Sequence, residues 1–111
     1  MTTRFELVAD DRGRISYCLV DNTGNVLLQG LPCRGKIDAQ TEVLHTRKAL
    51  DSEHLVPHQD GEGMHFVVLK DDEGNVLGRS PHVASSHELG AMVNEICAAG
   101  PRAAMIDQTR R

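Results

Sequence analysis

The sequence predicts an α+β fold in which two tandem βββ-α-β repeats form one antiparallel sheet with two helices on one face. The chain aligns with itself, without a gap, at an offset of fifty residues, and six of nine positions are identical between residues 19–27 and 69–77. In each half, apolar residues first alternate and then recur at helical spacing. Such self-similarity at a fixed period indicates a repeated structural unit. We therefore expect a single domain, residues 1–111, made of repeats at about 4–53 and 54–108.

The first half opens with three short alternating segments, residues 5–9, 14–20 and 25–29. Alternation of apolar and polar residues is typical of a strand with one buried face. Residues 10–13 and 21–24 separate these segments, and each group begins with aspartate and ends with glycine. Short loops with such residues favour antiparallel hairpins. The second half repeats the pattern fifty residues later.

Each half then changes to a helical period. The second helix is predicted from an apolar stripe at i, i+3, i+4, i+7 and i+8, formed by Leu89, Met92, Val93, Ile96 and Cys97. Ser85 and Glu88 form a capping-box pattern before it, and Gly100-Pro101 ends it.

The equivalent first helix covers about residues 36–50, with apolar Ile37, Val43, Leu44 and Leu50. Gly35 takes the place of the capping serine, and Asp38 lies in the first turn, where the helix dipole favours an acid. A short closing strand follows each helix, at residues 53–56 and 103–106. Pro57 indicates that the first of them lies at a sheet edge.

Composition excludes several classes of protein. The formal net charge is −4 and aromatic residues make up 3% of the chain, which disfavours nucleic-acid binding. No apolar stretch approaches the length of a membrane span, and residues 1–14 contain no apolar core of a signal peptide. The three cysteines are too widely spaced for a disulfide framework. We therefore expect a small soluble protein of the cytoplasm.

The order of these motifs resembles the YegP-like family, a bacterial domain often present as tandem copies. The resemblance is carried by residues 66–71, 74–80 and Ser85 in the second half, and by residues 4–7 and 24–27 in the first. It implies one antiparallel sheet built by both copies, helices on one face, and closing strands exchanged between the copies. Because both copies are present, it also implies a monomer. The family has no established activity, so the resemblance implies no catalytic residue.

The links before the helices depart from the family pattern, which has an acid after the serine and an aromatic residue before the helix. Pro81 and Val83 take these positions in the second half, and Leu31 and Cys33 take them in the first. Gly30 replaces the serine. If the link has a function in the family, the first copy is expected to have lost it.

Cys33 is the one candidate reactive residue. It precedes a predicted helix N-terminus and lies close to Arg34 and Lys36, and such surroundings lower the pKa of a thiol. Alternatively, it fills the aromatic position of the link as a small apolar residue. Cys97, on the helix stripe, is expected in the core.

No metal, cofactor or catalytic group is predicted. Metal ligands must converge in threes or fours, and the six histidines are scattered in the sequence: His45, His54, His58, His65, His82 and His87. No phosphate-binding loop is present.

Three functions are consistent with this sequence, and the first is favoured. The first is a non-enzymatic protein-interaction module, because a sheet covered on one side offers an open face and strand edges to an unknown protein partner. The second is a small-molecule-binding protein or minor enzyme with a site near the links before the helices. The third is a nucleic-acid binder on the open sheet face, which the acidic composition disfavours.

Overall fold

The computed structural model describes residues 3–109, which form one seven-stranded sheet covered on one face by two helices. The elements in chain order are β1 (Arg4–Ala9), β2 (Ile15–Val20), β3 (Val26–Gly30), α1 (Lys36–Ala49), β4 (Leu55–Gln59), β5 (His65–Lys70), β6 (Val76–Arg79), α2 (Ser86–Ala99), a 3₁₀ helix (Gly100–Arg102) and β7 (Ala104–Asp107). The strand order across the sheet is β4-β5-β6-β3-β2-β1-β7. This confirms the α+β class, the single sheet and the predicted element order.

The four hairpin turns share the same hydrogen bonds and backbone conformation. Each begins with an aspartate whose Oδ1 accepts hydrogen bonds of 2.8–2.9 Å from the amides two and four residues further on: Asp10, Asp21, Asp60 and Asp71. Each ends with a glycine at a φ of 80–92°: Gly13, Gly24, Gly63 and Gly74. Only glycine adopts this conformation without strain. The aspartate and glycine of each turn were correctly read from the sequence.

The sheet is mixed, whereas the sequence predicted antiparallel pairing throughout. Six strands pair antiparallel, but β7 lies parallel to β1, with Arg4 beside Ala104 and Leu7 beside Asp107. The cause is the connection, because α2 and the 3₁₀ helix carry the chain across the sheet to the end at which β1 begins. The closing strand of the second half therefore joins the sheet beside the first half.

The core lies between the sheet and the helices. The helix-facing strand residues include Phe5, Tyr17 and Leu69, each at most 1% exposed, and they pack against helix residues such as Val43 and Ile96. Their neighbours along each strand point to the other face of the sheet.

The apolar residues predicted on α1 are divided between core and solvent. Val43 and Leu50 are buried, whereas Ile37 is 77% exposed and Leu44 is 54% exposed. Small residues complete the buried face of α1: Ala39, Thr46 and Ala49.

The helix caps differ as the sequence predicts. The Ser85 hydroxyl accepts a 3.1 Å hydrogen bond from the Glu88 amide. The Glu88 carboxylate does not return to the Ser85 amide but accepts from the Ser85 hydroxyl at 3.4 Å. Gly35 caps α1 without a side chain, at an extended φ of −155°.

Two glycines face each other where the halves of the sheet meet. Gly30 of β3 pairs with Gly78 of β6, and the ring of Tyr17 lies against both. A Cβ at Gly30 would clash with that ring, and one at Gly78 would lie 2.8 Å from the Tyr17 hydroxyl. The absence of side chains therefore makes room for Tyr17.

Candidate functional site: the open face and the links

The sheet surface that points away from the helices is built by alternate residues of every strand. The register aligns one row across all seven strands, formed in order from β7 to β4 by Ile106, Glu6, Cys18, Gln29, Arg79, Val68 and Val56. We call this surface, with the neighbouring strand residues on the same side of the sheet, the open face. Bulges in the pairing of β3 and β6 leave Leu27 and Leu77 in the core instead. Within residues 3–109, no helix covers it.

The open face is basic in an acidic chain. Among the strand residues, Arg4, Lys70 and Arg79 point to it, with Glu6 as the one acid, because these residues alternate with core residues. Arg4 Nε lies 2.8 Å from Glu6 Oε2, and Arg79 is exposed. The open face thus carries a formal charge of about +2, whereas the whole chain carries −4.

Cys18 lies beside Gln29, the central residue of the row. Its Sγ donates a 2.9 Å hydrogen bond to Gln29 Oε1, and Gln29 Nε2 donates to Ser16 Oγ at 3.2 Å. Burial, and then the charge of Glu6, raise the pKa of the Cys18 thiol. The thiol therefore stays protonated and acts as a hydrogen-bond donor.

Three aromatic rings stack at the β4 side of the open face. Phe66 lies between His58, at a centroid distance of 5.3 Å, and His82, at 4.3 Å with the rings 5° from parallel. His82 Nδ1 lies 2.6 Å from Asp60 Oδ2, and this contact is the main cause of a lowered pKa of the Asp60 carboxyl.

This stack was missed in the sequence, where the histidines had no visible relation. Its members come from β4, β5 and the link before α2, and only strand pairing brings them together. Residues 16 and 32, the counterparts of Phe66 and His82 in the first half, are serine and proline. That difference between the halves was the feature of the sequence from which the stack could have been predicted.

Cys33 lies in the link before α1, where its backbone pairs with Ile15 and its side chain packs against the core. Burial raises the pKa of its thiol, and the charges of Glu42 and Asp38 raise it further. This is opposite to the direction that the nearby cations suggested from the sequence. The reactivity of Cys33 stays a prediction, and its surroundings do not favour the thiolate.

A cavity of about 440 Å³ opens beside this link, lined by Leu31, Pro32, Cys33, Arg34, Asp38, Thr41 and Glu42. Its volume lies within the range of small-molecule sites. The lining combines an apolar side with two carboxylates and one guanidinium. Cys97, expected in the core, is half-buried on α2.

His54 is held between two carboxylates at the end of α1. Its Nδ1 lies 2.8 Å from Asp51 Oδ1 and its Nε2 lies 2.6 Å from Asp72 Oδ1. The hydrogen bond with Asp72, followed by that with Asp51, raises the pKa of His54. The imidazole therefore joins the turn after α1 to the β5–β6 turn.

Other chemistry is restricted within the described part of the chain. Among residues 3–109, no three His, Cys, Asp or Glu side chains are arranged to hold a metal ion. All three cysteines are free thiols. Neither α1 nor α2 is long and apolar enough to cross a membrane.

Comparison with solved structures identifies the architecture. The protein of unknown function YegP from E. coli superimposes with a TM-score of 0.90 over 100% of this chain and 97% of its own, at 19% sequence identity. The chain has the YegP fold. A UPF0339 protein from Shewanella oneidensis matches with a TM-score of 0.89 over 98% of this chain and 93% of its own, at 17% identity.

These likenesses confirm, at the level of the fold, the YegP-like resemblance seen in the sequence. No protein-family model matches the chain, and no curated protein matches it. Since the first neighbour is itself a protein of unknown function, the fold provides no activity to transfer.

Proposed function

We propose that this protein is a non-enzymatic protein-interaction module that binds another protein through its open face. The observation that carries the proposal is the aligned row from Ile106 to Val56, which spans all seven strands and is covered by no helix within residues 3–109. An uncovered sheet face is a common site of protein recognition, and this one differs in charge from the rest of the chain.

The side-chain contacts suit recognition rather than catalysis. Arg4 is paired with Glu6, and Cys18 is hydrogen-bonded to Gln29. Because these groups are already fixed, they present a defined pattern to a partner without large loss of side-chain entropy. Arg79, in the centre of the sheet and exposed, is the residue best placed to meet a partner's carboxylate.

The dimensions of the open face favour a transient complex. Six inter-strand spacings of about 4.8 Å make it about 29 Å wide, and strands of five residues make it about 17 Å long. Its projected area is on the order of 500 Å², near the low end for one side of a protein interface. We therefore expect a partner that binds and dissociates readily.

The proposal is tested by affinity capture from the host lysate with immobilised protein and two charge-reversal variants. Arg79→Glu changes the open face, and Arg34→Glu makes the same change in the exposed link on the helix side. We expect a protein partner to be captured by the native chain and by Arg34→Glu but not by Arg79→Glu. A partner retained equally by Arg79→Glu, or a captured species that nuclease removes, would contradict the proposal.

The link before α1 supports a second candidate, a small-molecule site. Its support is the 440 Å³ cavity that contains Cys33 and Arg34. A fragment screen by NMR tests it, because binders should shift amides of residues 31–42 and lose affinity in Arg34→Glu. Binders that shift only the open face would exclude this site.

We further propose that the module acts as a monomer in the cytoplasm. The support for a monomer is that both halves contribute strands to one sheet, and the support for a reducing compartment is the three free thiols. Light scattering at twice the chain mass that persists on dilution would contradict the monomer. Fractionation of the host cell tests the compartment.

A further inference from the structure

At one edge of the sheet, β7 has backbone groups that pair with no other strand within residues 3–109. The Gln108 amide donates a 2.9 Å hydrogen bond to the Leu7 carbonyl, so residues 104, 106 and 108 face β1 in the alternating pattern of a parallel ladder. The amides and carbonyls of Met105 and Asp107 consequently face away from the sheet. They are available to a further strand.

The opposite edge, along β4, is protected. The Val67 carbonyl accepts a hydrogen bond from the Ser80 amide, and the Val67 amide donates one to the Ser80 hydroxyl. Both bonds lie on the β6 side, so the Val67 partner Pro57 turns its own backbone nitrogen outward. Proline has no amide to donate, and a proline at an edge strand blocks the addition of another strand. In β7 the position equivalent to Pro57, fifty residues later, is Asp107, which has an amide. In the part of the chain that the structure describes, the β7 edge is therefore the one that a further strand can join.

Exposed apolar side chains concentrate around this open edge. Met105 and Ile106 are 37% and 41% exposed and point to opposite faces of β7. Helix α1 contacts this end of the sheet through Lys36 and Arg47, and it carries the exposed Ile37 and Leu44. Within residues 3–109, four of the six large exposed apolar residues thus lie on these two elements.

One salt bridge and one hydrogen bond connect α1 to the β7 segment. Lys36 Nζ lies 2.8 Å from Asp107 Oδ2 at one end, and Arg47 Nη2 donates a 2.6 Å hydrogen bond to the Ala103 carbonyl at the other. Both ends of α1 are therefore fixed to β7.

The start of β7 carries cations that no acid within residues 3–109 neutralises. Arg47 and Arg102 bond to backbone carbonyls, whereas the nearby Glu6, Asp107 and Glu95 are already bonded to Arg4, Lys36 and Thr3. Within residues 3–109, the buried Arg47 Nε has no hydrogen-bond partner. A cavity of about 290 Å³ lies at the same place, lined by Thr3, Ala99, Arg102, Ala103 and Ala104. The cavity has room for a carboxylate side chain, and the Arg102 guanidinium that lines it can bind one.

We propose that an extended segment of a partner protein adds to β7 as an eighth strand, with apolar residues at alternate positions and an acidic residue beside Arg47 and Arg102. The segment bonds to the backbone of Met105 and Asp107 and packs on Met105 and Ile106. This inference rests on the proposed role in protein interaction, but it names a different surface from the open face.

The probe is a random peptide library displayed on phage and selected against the full chain. We expect the selected peptides to combine alternating apolar residues with an acid, and to slow hydrogen exchange at the amides of Met105 and Asp107. Met105→Pro removes the outward amide without touching the bonds to β1, so affinity should fall by about tenfold. Met105→Lys, which keeps the backbone amide, should also weaken binding.

Gln59→Pro is the matched control, because it places proline at an outward position of β4, and it should bind the peptides like the native chain. The proposal would be overturned if the selected peptides bound Met105→Pro as well as the native chain, or if they protected the amides of β4 instead. It would also be overturned if the library yielded no peptide whose binding depends on Met105. Concentration-dependent dimerisation with protection of the same two amides would do so too, because the occupant would then be a second copy.

The two proposals fail separately. Loss of the captured partner in Arg79→Glu but not in Met105→Pro supports the open face and rejects the edge. The opposite pattern supports the edge and rejects the open face.

Discussion

The hydroxyl of Tyr17, in the first half of the chain, donates a 2.9 Å hydrogen bond to the backbone carbonyl of Leu77, in the second half. The same hydroxyl accepts a 2.8 Å bond from Thr46 Oγ1 of α1. Burial is the main cause of a raised pKa of Tyr17, so the phenol stays neutral and keeps both bonds. One buried polar group thus connects β2, β6 and α1.

Tyr17→Phe should lower the free energy of unfolding by about 1–3 kcal/mol, because it leaves buried polar partners without a hydrogen bond. Urea denaturation of both proteins measures the difference. Thr41→Val is the control, since the Thr41 hydroxyl lies exposed on α1, and its effect should stay within about 0.5 kcal/mol. Equal stability of Tyr17→Phe and the native chain would show that the connection is dispensable.

Gly30→Ser should destabilise the protein by about 1–3 kcal/mol, because its Cβ would meet the Tyr17 ring. The substitution introduces the residue that the second half has at Ser80. Gly35→Ser is the matched control, since no atom lies within 4 Å of an added Cβ and φ is extended. It should be neutral or stabilise α1 by a few tenths of a kcal/mol, about the difference between Gly and Ser caps. Thermal melting of both variants measures the two effects. An unchanged melting temperature of Gly30→Ser would contradict the packing argument.

Ile96→Ala should cost about 2–5 kcal/mol, the range for removing a buried aliphatic side chain, because Ile96 is 0% exposed on α2. Ile37→Ala makes the same change on α1, where the side chain is 77% exposed, and should stay within about 0.5 kcal/mol. Chemical denaturation of the pair measures both values. Similar losses would mean that the helix faces are wrongly assigned.

Stability should depend on the ionisation of His54. Asp72 and Asp51 raise its folded-state pKa, so its contribution is fully present below the unfolded value of about 6.5. It is lost as the pH rises through the folded pKa. The charged groups around this site also include His45, Lys48, Asp71 and Glu73.

The measurement is the pH dependence of urea denaturation, with NMR titration of the His54 ring. His54→Asn should remove this decline in stability on the alkaline side of pH 6.5, a value typical of histidine. His87→Gln removes an exposed histidine that is not in contact with Asp51 or Asp72, so the decline in stability should remain in this variant. A titration of His54 at or below its ordinary pKa would refute the arrangement.

The positions of the turns and of the helix starts follow from residues close to them in the sequence. Aspartate at the start and glycine at the end of each turn, and the serine before α2, act within a few residues of themselves, so their roles could be predicted from the sequence. The repeat at fifty residues likewise predicted the element order and the single sheet. The reactive-thiol hypothesis for Cys33 used sequence neighbours alone, and the surrounding charges come instead from Asp38 and Glu42, one and two turns along α1.

Only the tertiary structure decided which surfaces meet. The parallel pairing of β7 with β1, the stack of His58, Phe66 and His82, and the exposure of Ile37 depend on how elements far apart in sequence are placed in space. Sequence periodicity defines which residues share a face of one element, because side-chain direction follows the backbone. It does not specify what that face meets, since contacts between distant elements are fixed by packing of the whole chain.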